Sequence, residues 1–288
     1  MRIIVLLVFL INTLFAFSYN IEASNVANGK TTIVKLINQE KIKYEKVILD
    51  KKEYKIFKNP FNKDESYFLL PINYYAKTGE KNLVIHFKEN NKNLKKDLNI
   101  SVIDANYPKE ELQVSSAKVH LNKEDKARAA KEYKEAMDVY NSVSAESYIK
   151  SEFIVPLDSK ITSDFGRART FNGVLKSYHG GTDFRAAVGV PIVASNDGVV
   201  VIAKDRFYAG GSVVIDHGHG IHTSYFHLSK IKVQKGDRVK KSQIVGLAGA
   251  TGRVTGPHLH FGIRVNGEQV DPLQFIKLIN SNLIQGHK

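Results

Sequence analysis

Two short motifs concentrate side chains that can hold a metal: His179 and Asp183 in the stretch YHGGTDF, and His258 and His260 in GPHLHF. Zinc takes imidazole nitrogen and carboxylate oxygen in a tetrahedron, with Zn–N distances of roughly 2.0–2.1 Å. A catalytic zinc needs three protein ligands and one position left for water. The two motifs can supply three ligands and leave one histidine for proton chemistry. Residues 258–264 alternate with period two behind Gly256-Pro257, the pattern of a turn leading into a strand. On a strand, residues i and i+2 share a face, so His258 and His260 should project into one cleft, with Leu259 and Phe261 facing the opposite layer. Gly180 and Gly181 are expected to let the chain curl so that His179 and Asp183 reach one ion.

The remaining histidines divide by context. Tyr225-Phe226-His227-Leu228 ends a strand-like run that starts at His222. His222 lies an odd number of residues from His227, so on a regular strand it would face away from it and pack or line a rim. His217 and His219 in DHGHG are interrupted by glycine and read as a turn. His86 falls on the polar side of Leu83-Val84-Ile85-His86-Phe87, while His120 and His287 carry no pattern. No H-E-x-x-H motif is present, so the glutamate base of thermolysin-type enzymes is absent and histidine must do that work.

Residues from about Phe153 to Phe275 resemble the lysostaphin/LytM-type zinc metallopeptidases, bacterial enzymes that cut peptide cross-links in peptidoglycan. The resemblance rests on Ser163-Asp164-Phe165-Gly166-Arg167, His179 through Phe184, Val214-Ile215-Asp216-His217-Gly218, Tyr225 through Ser229, Gly236-Asp237-Arg238-Val239 and Thr251 through Phe261, in matching order and spacing. It implies that His179, Asp183 and His260 bind Zn2+, and that His227 and His258 are the two catalytic histidines. It also implies an antiparallel β-sheet core with a groove lined by loops. Peptidoglycan stem peptides are the implied substrate: a D,D-endopeptidase cutting D-Ala–diaminopimelate bridges, with D,D-carboxypeptidase trimming as a neighbouring activity. Pentaglycine cleavage is less expected, because no wall-targeting repeat or SH3-like module is evident. A rival reading is a non-catalytic activator of a cell-wall amidase, a type that commonly loses zinc ligands. Ser242, His219 and His222 depart from the family pattern and bear on the cleft rim.

Met1-Arg2, the apolar run Ile3–Phe15 and small residues Ala16 and Ser18 read as a signal peptide over residues 1–18. The expected address is therefore the periplasm or cell wall. A cysteine-free chain excludes disulfides, thiolate ligands and lipidation at cysteine. The net charge of +13 is carried mostly by scattered lysines. It suits attraction to anionic wall polymers or simply a lysine-, asparagine- and isoleucine-rich composition, and without aromatic interleaving it does not suggest nucleic-acid binding.

The fold expected is mostly β. Residues 19–106 carry several short alternating strands, among them Leu98-Ile100-Val102 and Leu83-Ile85-Phe87. They suggest a sandwich, with an immunoglobulin-like one as a candidate. By elimination this domain positions, covers the cleft, or binds a cell-envelope protein partner. A helical connector over 107–152 should start at Lys123 with Asn122 as cap. Its Ala129, Tyr133, Ala136 and Tyr140 stripe should pack, with Lys131–Glu135 as an i,i+4 pair. The peptidase-like domain then covers 153–275, and 276–288 reads as a tail with a short, frayed helix.

Overall fold

The computed structural model describes residues 17–112, 122–171 and 175–284. The expected signal peptide lies outside them except for its last two residues, as does His287. His120 also falls outside. Among the described residues no helix is long and apolar enough to cross a membrane.

Residues up to Ile103 form two facing sheets. One has the order Tyr19–Ile21, Thr31–Ile37, Glu65–Pro71, Phe57–Lys58; the other runs Asn25–Ala27, Lys92–Ile103, Gly79–Glu89, Ile42–Leu49, Lys52–Lys55. Val34, Leu36, Phe68 and Leu70 from the first meet Val47, Leu83, Ile85, Leu98 and Ile100 from the second in one dry core. Alternation along each strand puts these residues on one face.

The unbroken apolar run Tyr67-Phe68-Leu69-Leu70 has a different cause from simple alternation. It is buried on both faces. While Phe68 and Leu70 enter the sandwich, Ile33, Phe57, Tyr67 and Leu69 join the core of the C-terminal half, together with Ile221, Val265 and Val270. Fully burying one such side chain is worth roughly 1.5–3 kcal/mol, so the four weld the two halves together. Polar contacts border the weld. Lys52 Nζ lies 2.8 Å from Glu268, Asn73 Nδ2 donates to the same carboxylate at 2.7 Å, and Gln274 exchanges two hydrogen bonds with the Thr31 backbone.

His219, which departs from the family pattern, sits at the centre of this interface. Its ring stacks on Phe57 at 4.0 Å, its Nδ1 bonds the Tyr67 hydroxyl at 2.7 Å and its Nε2 lies 3.1 Å from the Ala145 carbonyl. The carbonyl can only accept, so Nε2 carries the proton and Tyr67 donates to Nδ1. The DHGHG histidines are thus buried and hydrogen-bonded: His217 bonds the Asp197 carbonyl and the Thr223 hydroxyl.

The C-terminal half is built on an antiparallel sheet in the order Ile161–Ser163, Thr182–Arg185, His258–Val265, Ile221–Leu228, Gly210–Asp216, Gly198–Arg206, Arg238–Val239, with Glu268–Val270 added beside His258–Val265. Its inner face carries Leu259, Phe261, Ile263 and Tyr225 into the core. Helix α1 (Lys123–Tyr140) starts where expected, with Asn122 Oδ1 accepting from Asp125 N at 2.8 Å. It crosses the outer face, where Ala136 and Tyr140 pack with Ile202 and Val214. Two expectations about α1 change. Tyr133 is 65% exposed rather than packed, and Glu135 pairs with Lys204, leaving Arg128–Glu132 and Lys134–Asp138 as the i,i+4 pairs.

The segment before α1 is not all helical connector. Lys109–Leu112 forms a strand that pairs in parallel with Ala168–Phe171. At the other end, helix α2 (Pro272–Ile279) runs across position 275 and continues as a π-type turn to Ile284. Leu278, Ile279, Leu283 and Ile284 are buried, and Asn280 holds the Phe153 backbone through two 2.8 Å bonds, so this stretch is core rather than frayed tail.

Replacing Tyr67 by Phe strands the His219 nitrogen and should cost about 1–3 kcal/mol, measured by urea unfolding. Burial pushes His219, His217 and His222 each down to about 4. Between pH 6.5 and 4 the unfolded chain binds protons that the folded chain refuses, so stability falls as pH falls, by about 1 kcal/mol per pH unit for each such histidine. His219→Gln should remove one share of that slope; an unchanged slope would contradict this account of the interface.

Candidate metal centre and groove

The register of two strands assembles the centre. Thr182–Arg185 pairs with His258–Val265 so that Asp183 stands directly opposite His260. Directly opposed residues have Cβ atoms about 4.5–5.5 Å apart, within reach of one ion. Asp183 Oδ1 lies 2.8 Å from His260 Nδ1 and 2.9 Å from His179 Nε2, and these two nitrogens are 3.1 Å apart. A tetrahedral ion bound at zinc distances implies donor edges of about 3.3 Å, so the donor set fits a metal with small outward adjustment. His179, Asp183 and His260 can hold a metal ion together.

The glycines act by close approach rather than by a curl. A Cβ on Gly181 would lie 2.5 Å from the Phe261 carbonyl oxygen and 2.6 Å from His260 Nε2. Only glycine lets this turn lie against the neighbouring strand.

Three of the four imidazoles have a defined tautomer. His179 Nδ1–H donates to the Asp164 carbonyl at 2.8 Å, with the Ser163 hydroxyl at 3.2 Å, leaving Nε2 for a metal. His258 Nδ1–H donates to the Gly256 carbonyl at 2.9 Å, and its Nε2 is 3.7 Å from Asp183 Oδ1. His227 Nδ1–H donates to the Thr251 carbonyl at 2.9 Å. With Nδ1 so engaged, the Nε2 atoms of His227 and His258 are the nitrogens left to act in the groove, and the two ring centroids lie 4.8 Å apart.

His227 reaches this position through a β-bulge. Tyr225 pairs with Val213 and Leu228 with Gly211, so three steps on one strand match two on the other. His227 adopts φ 63°, a left-handed conformation uncommon for a non-glycine residue. A bulge re-aims a side chain: Phe226 and His227 both face the centre, and Leu228 returns to the core. The parity argument for His222 fails for this reason. His222 lies on the same outer face as the centre, fully buried beneath Tyr140.

Electrostatics follow from burial and contact. Burial alone would raise the Asp183 carboxyl, but the His179 and His260 rings in contact with its oxygen outweigh it and hold the group well below the usual carboxylate range. Burial, reinforced by His260 and His258, pushes His227 down to about 3, so its ring is neutral. Burial also lowers His260 against the pull of Asp183.

These residues floor a groove of about 690 Å³ whose walls carry Arg167, Arg169 and Arg253. Among the described residues before Lys123, Glu110 alone lines it. Glu110 pairs with Arg169, which also donates to Ser163 beside His179. The sandwich does not cover the groove; it touches the outer wall, where Tyr74 stacks on Tyr178 at 3.8 Å. Glu110 and the bulge at His227 escaped sequence reasoning: the first had no local pattern, and the second depends on the partner strand.

Comparison with known proteins agrees with this geometry. The model of Peptidase family M23 matches residues 177–272. The Vibrio cholerae peptidoglycan DD-endopeptidase ShyA is 48% identical over 123 residues, 41% of this chain and 28% of that protein. The DD-carboxypeptidase/endopeptidase Mpg of Neisseria meningitidis serogroup B is 36% identical over 132 residues, 45% of this chain and 30% of that protein. The chain thus spans less than a third of these curated relatives. A solved structure of a candidate peptidase M23 from Pseudomonas aeruginosa superposes with a TM-score of 0.65 at 25% identity, covering 87% of this chain and 94% of the other. The match to Peptidase family M23 thus covers residues 177–272, one third of the chain, and includes all five residues of the candidate site.

Proposed function

We propose that the chain is a zinc-dependent peptidoglycan hydrolase that cleaves stem-peptide cross-links, with His179, Asp183 and His260 as zinc ligands and His227 and His258 as catalytic residues. The observation that carries this reading is the convergence of one buried and two half-buried donors beside two histidines whose Nε2 atoms face one groove. Zinc held there would supply Lewis acidity towards an amide carbonyl and bring the pKa of water towards neutrality. His258 Nε2, nearest the carboxylate, takes up a proton and returns it to the departing amine. His227, fixed by Thr251 and kept neutral by burial, positions the reacting group from the other side. The arginines of the groove attract substrates that carry carboxylates, as stem peptides do.

Similarity to proteins named DD-endopeptidase and DD-carboxypeptidase/endopeptidase supports a D,D bond as the target, endopeptidase first. It also supports work in the periplasm or cell wall; export by residues 1–18 rests on the sequence pattern alone. The amidase-activator reading loses ground because all five site residues are in place. The sandwich serves as a structural base through the buried weld at Tyr67 and Leu69, with its outer sheet open to a cell-envelope partner.

Digestion of purified sacculi, resolved by mass spectrometry, should show cross-linked dimers replaced by monomers, and a zinc chelator should stop it. Sacculi left intact by the zinc-loaded protein would refute the hydrolase reading. Asp183→Asn should lose bound zinc as measured by elemental analysis. His258→Ala should keep zinc yet lose about 10²–10⁴-fold in kcat; near-parental turnover would remove it from the catalytic set.

A further inference from the structure

The sheet face that carries His260 continues past the metal centre. Along His258–Val265 it passes through Gly262 to Arg264, and on the neighbouring strand Phe226, Ser224 and His222 stand opposite His260, Gly262 and Arg264. Helix α1 lies over this face and leaves a pocket of about 110 Å³ against the sheet. Gly262 and Ser224 form its floor, Tyr133 and Tyr140 its helical wall, and Arg206 and Arg264 its charge. A Cβ on Gly262 would come within 2.7 Å of Ser224 Oγ, so glycine keeps the floor open.

Neither arginine has a carboxylate in direct contact; Glu135 acts on Arg206 and Glu268 on Arg264 only at longer range. Arg206 donates from Nη2 to the Glu132 carbonyl at 3.0 Å, and its buried Nε has no partner. Arg264 donates from Nη1 to the Gly267 carbonyl and rests 4.6 Å above the Tyr140 ring. Among the described residues no carboxylate lies within ion-pair distance of either guanidinium; Glu132, Glu135 and Glu268 pair with Arg128, Lys204 and Lys52 instead. Two partly buried guanidiniums beside an open pocket, one with an unused buried donor, are costly without a counter-charge. Gln269 joins this pocket to the metal centre. It lines the pocket, donates to the Gly180 carbonyl at 3.0 Å and accepts from Tyr178.

We propose that this pocket is a substrate subsite for a carboxylate borne by the stem peptide, held by Arg206 and Arg264, with Tyr133 at its mouth. The inference rests on the hydrolase reading and adds a specificity determinant to it. Arg264 is four residues along one strand from His260, about 13 Å at strand rise. The carboxylate it takes therefore belongs to a residue roughly three or four positions of extended peptide from the amide at the metal centre. The 65% exposure of Tyr133, unexplained by packing, places an aromatic ring where an entering peptide arm passes.

The test uses the full zinc-loaded chain, a cross-linked muropeptide dimer with its native carboxylates, and the same dimer converted to carboxamides by carbodiimide and ammonia. Arg206→Gln should raise KM for the native dimer about tenfold with kcat within twofold, while the carboxamide dimer should not distinguish variant from parent. Arg264→Gln should act in the same direction, and its unfolding midpoint reports whether loss of the Gly267 bond has damaged the fold. Equal KM for parent and Arg206→Gln on the native dimer, or an equal rise on the carboxamide, overturns the subsite. Calorimetric binding of the uncross-linked native monomer separates the two readings. Tight binding by the parent, tenfold weaker in Arg206→Gln but without any cleavage of dimer, sinks the hydrolase reading and leaves the subsite standing. Cleavage with no preference for carboxylate over carboxamide does the reverse, and absence of both binding and cleavage overturns both.

Discussion

The pairing of Asp183 opposite His260 is the constraint on which the rest depends. One carboxylate oxygen within 2.9 Å of two imidazole nitrogens requires a specific register between Thr182–Arg185 and His258–Val265. A slip of one residue would turn every side chain of one strand to the other face, burying His260 and exposing Leu259. The core face prevents that slip, because Leu259, Phe261 and Ile263 are fully buried in a packed cluster. Hydrophobic burial on one side of the sheet thus sets metal-site geometry on the other.

Oriented histidines are the second requirement, and backbone carbonyls meet it. Asp164, Gly256 and Thr251 each accept an Nδ1–H, leaving Nε2 of His179, His258 and His227 for metal or substrate. For His227 this costs a left-handed backbone at a β-bulge. The strain is retained where it aims a ring into the groove, in keeping with the clustering of such conformations at functional sites.

The two halves of the chain are one packed object. Ile33, Phe57, Tyr67 and Leu69 belong to the same core as the inner face of the peptidase sheet, and His219 fills a polar gap at their junction. The parallel strand Lys109–Leu112 then carries Glu110 to the groove wall, where Arg169 links it to Ser163 beside His179. Sandwich, linker and metal centre are therefore in mechanical contact without the sandwich entering the groove.

The sequence alone determined the ligand types, the period-two strand behind Gly256-Pro257, the cap at Asn122 and the strands of the sandwich, because each is a local pattern of spacing or propensity. The apolar run Tyr67–Leu70 is continuous in the sequence, but what covers its second face is decided by the C-terminal half. Four features belonged to tertiary structure: the bulge that turns His227, the burial of His222, the docking role of His219 and the strand at Lys109–Leu112. Each depends on a partner distant in the chain, such as Gly211 opposite Leu228 or Ala168 opposite Lys109. Local pattern specifies which face of an element is apolar; which elements meet across that face is settled only by the packing of the whole chain, and there the candidate metal centre acquires its geometry.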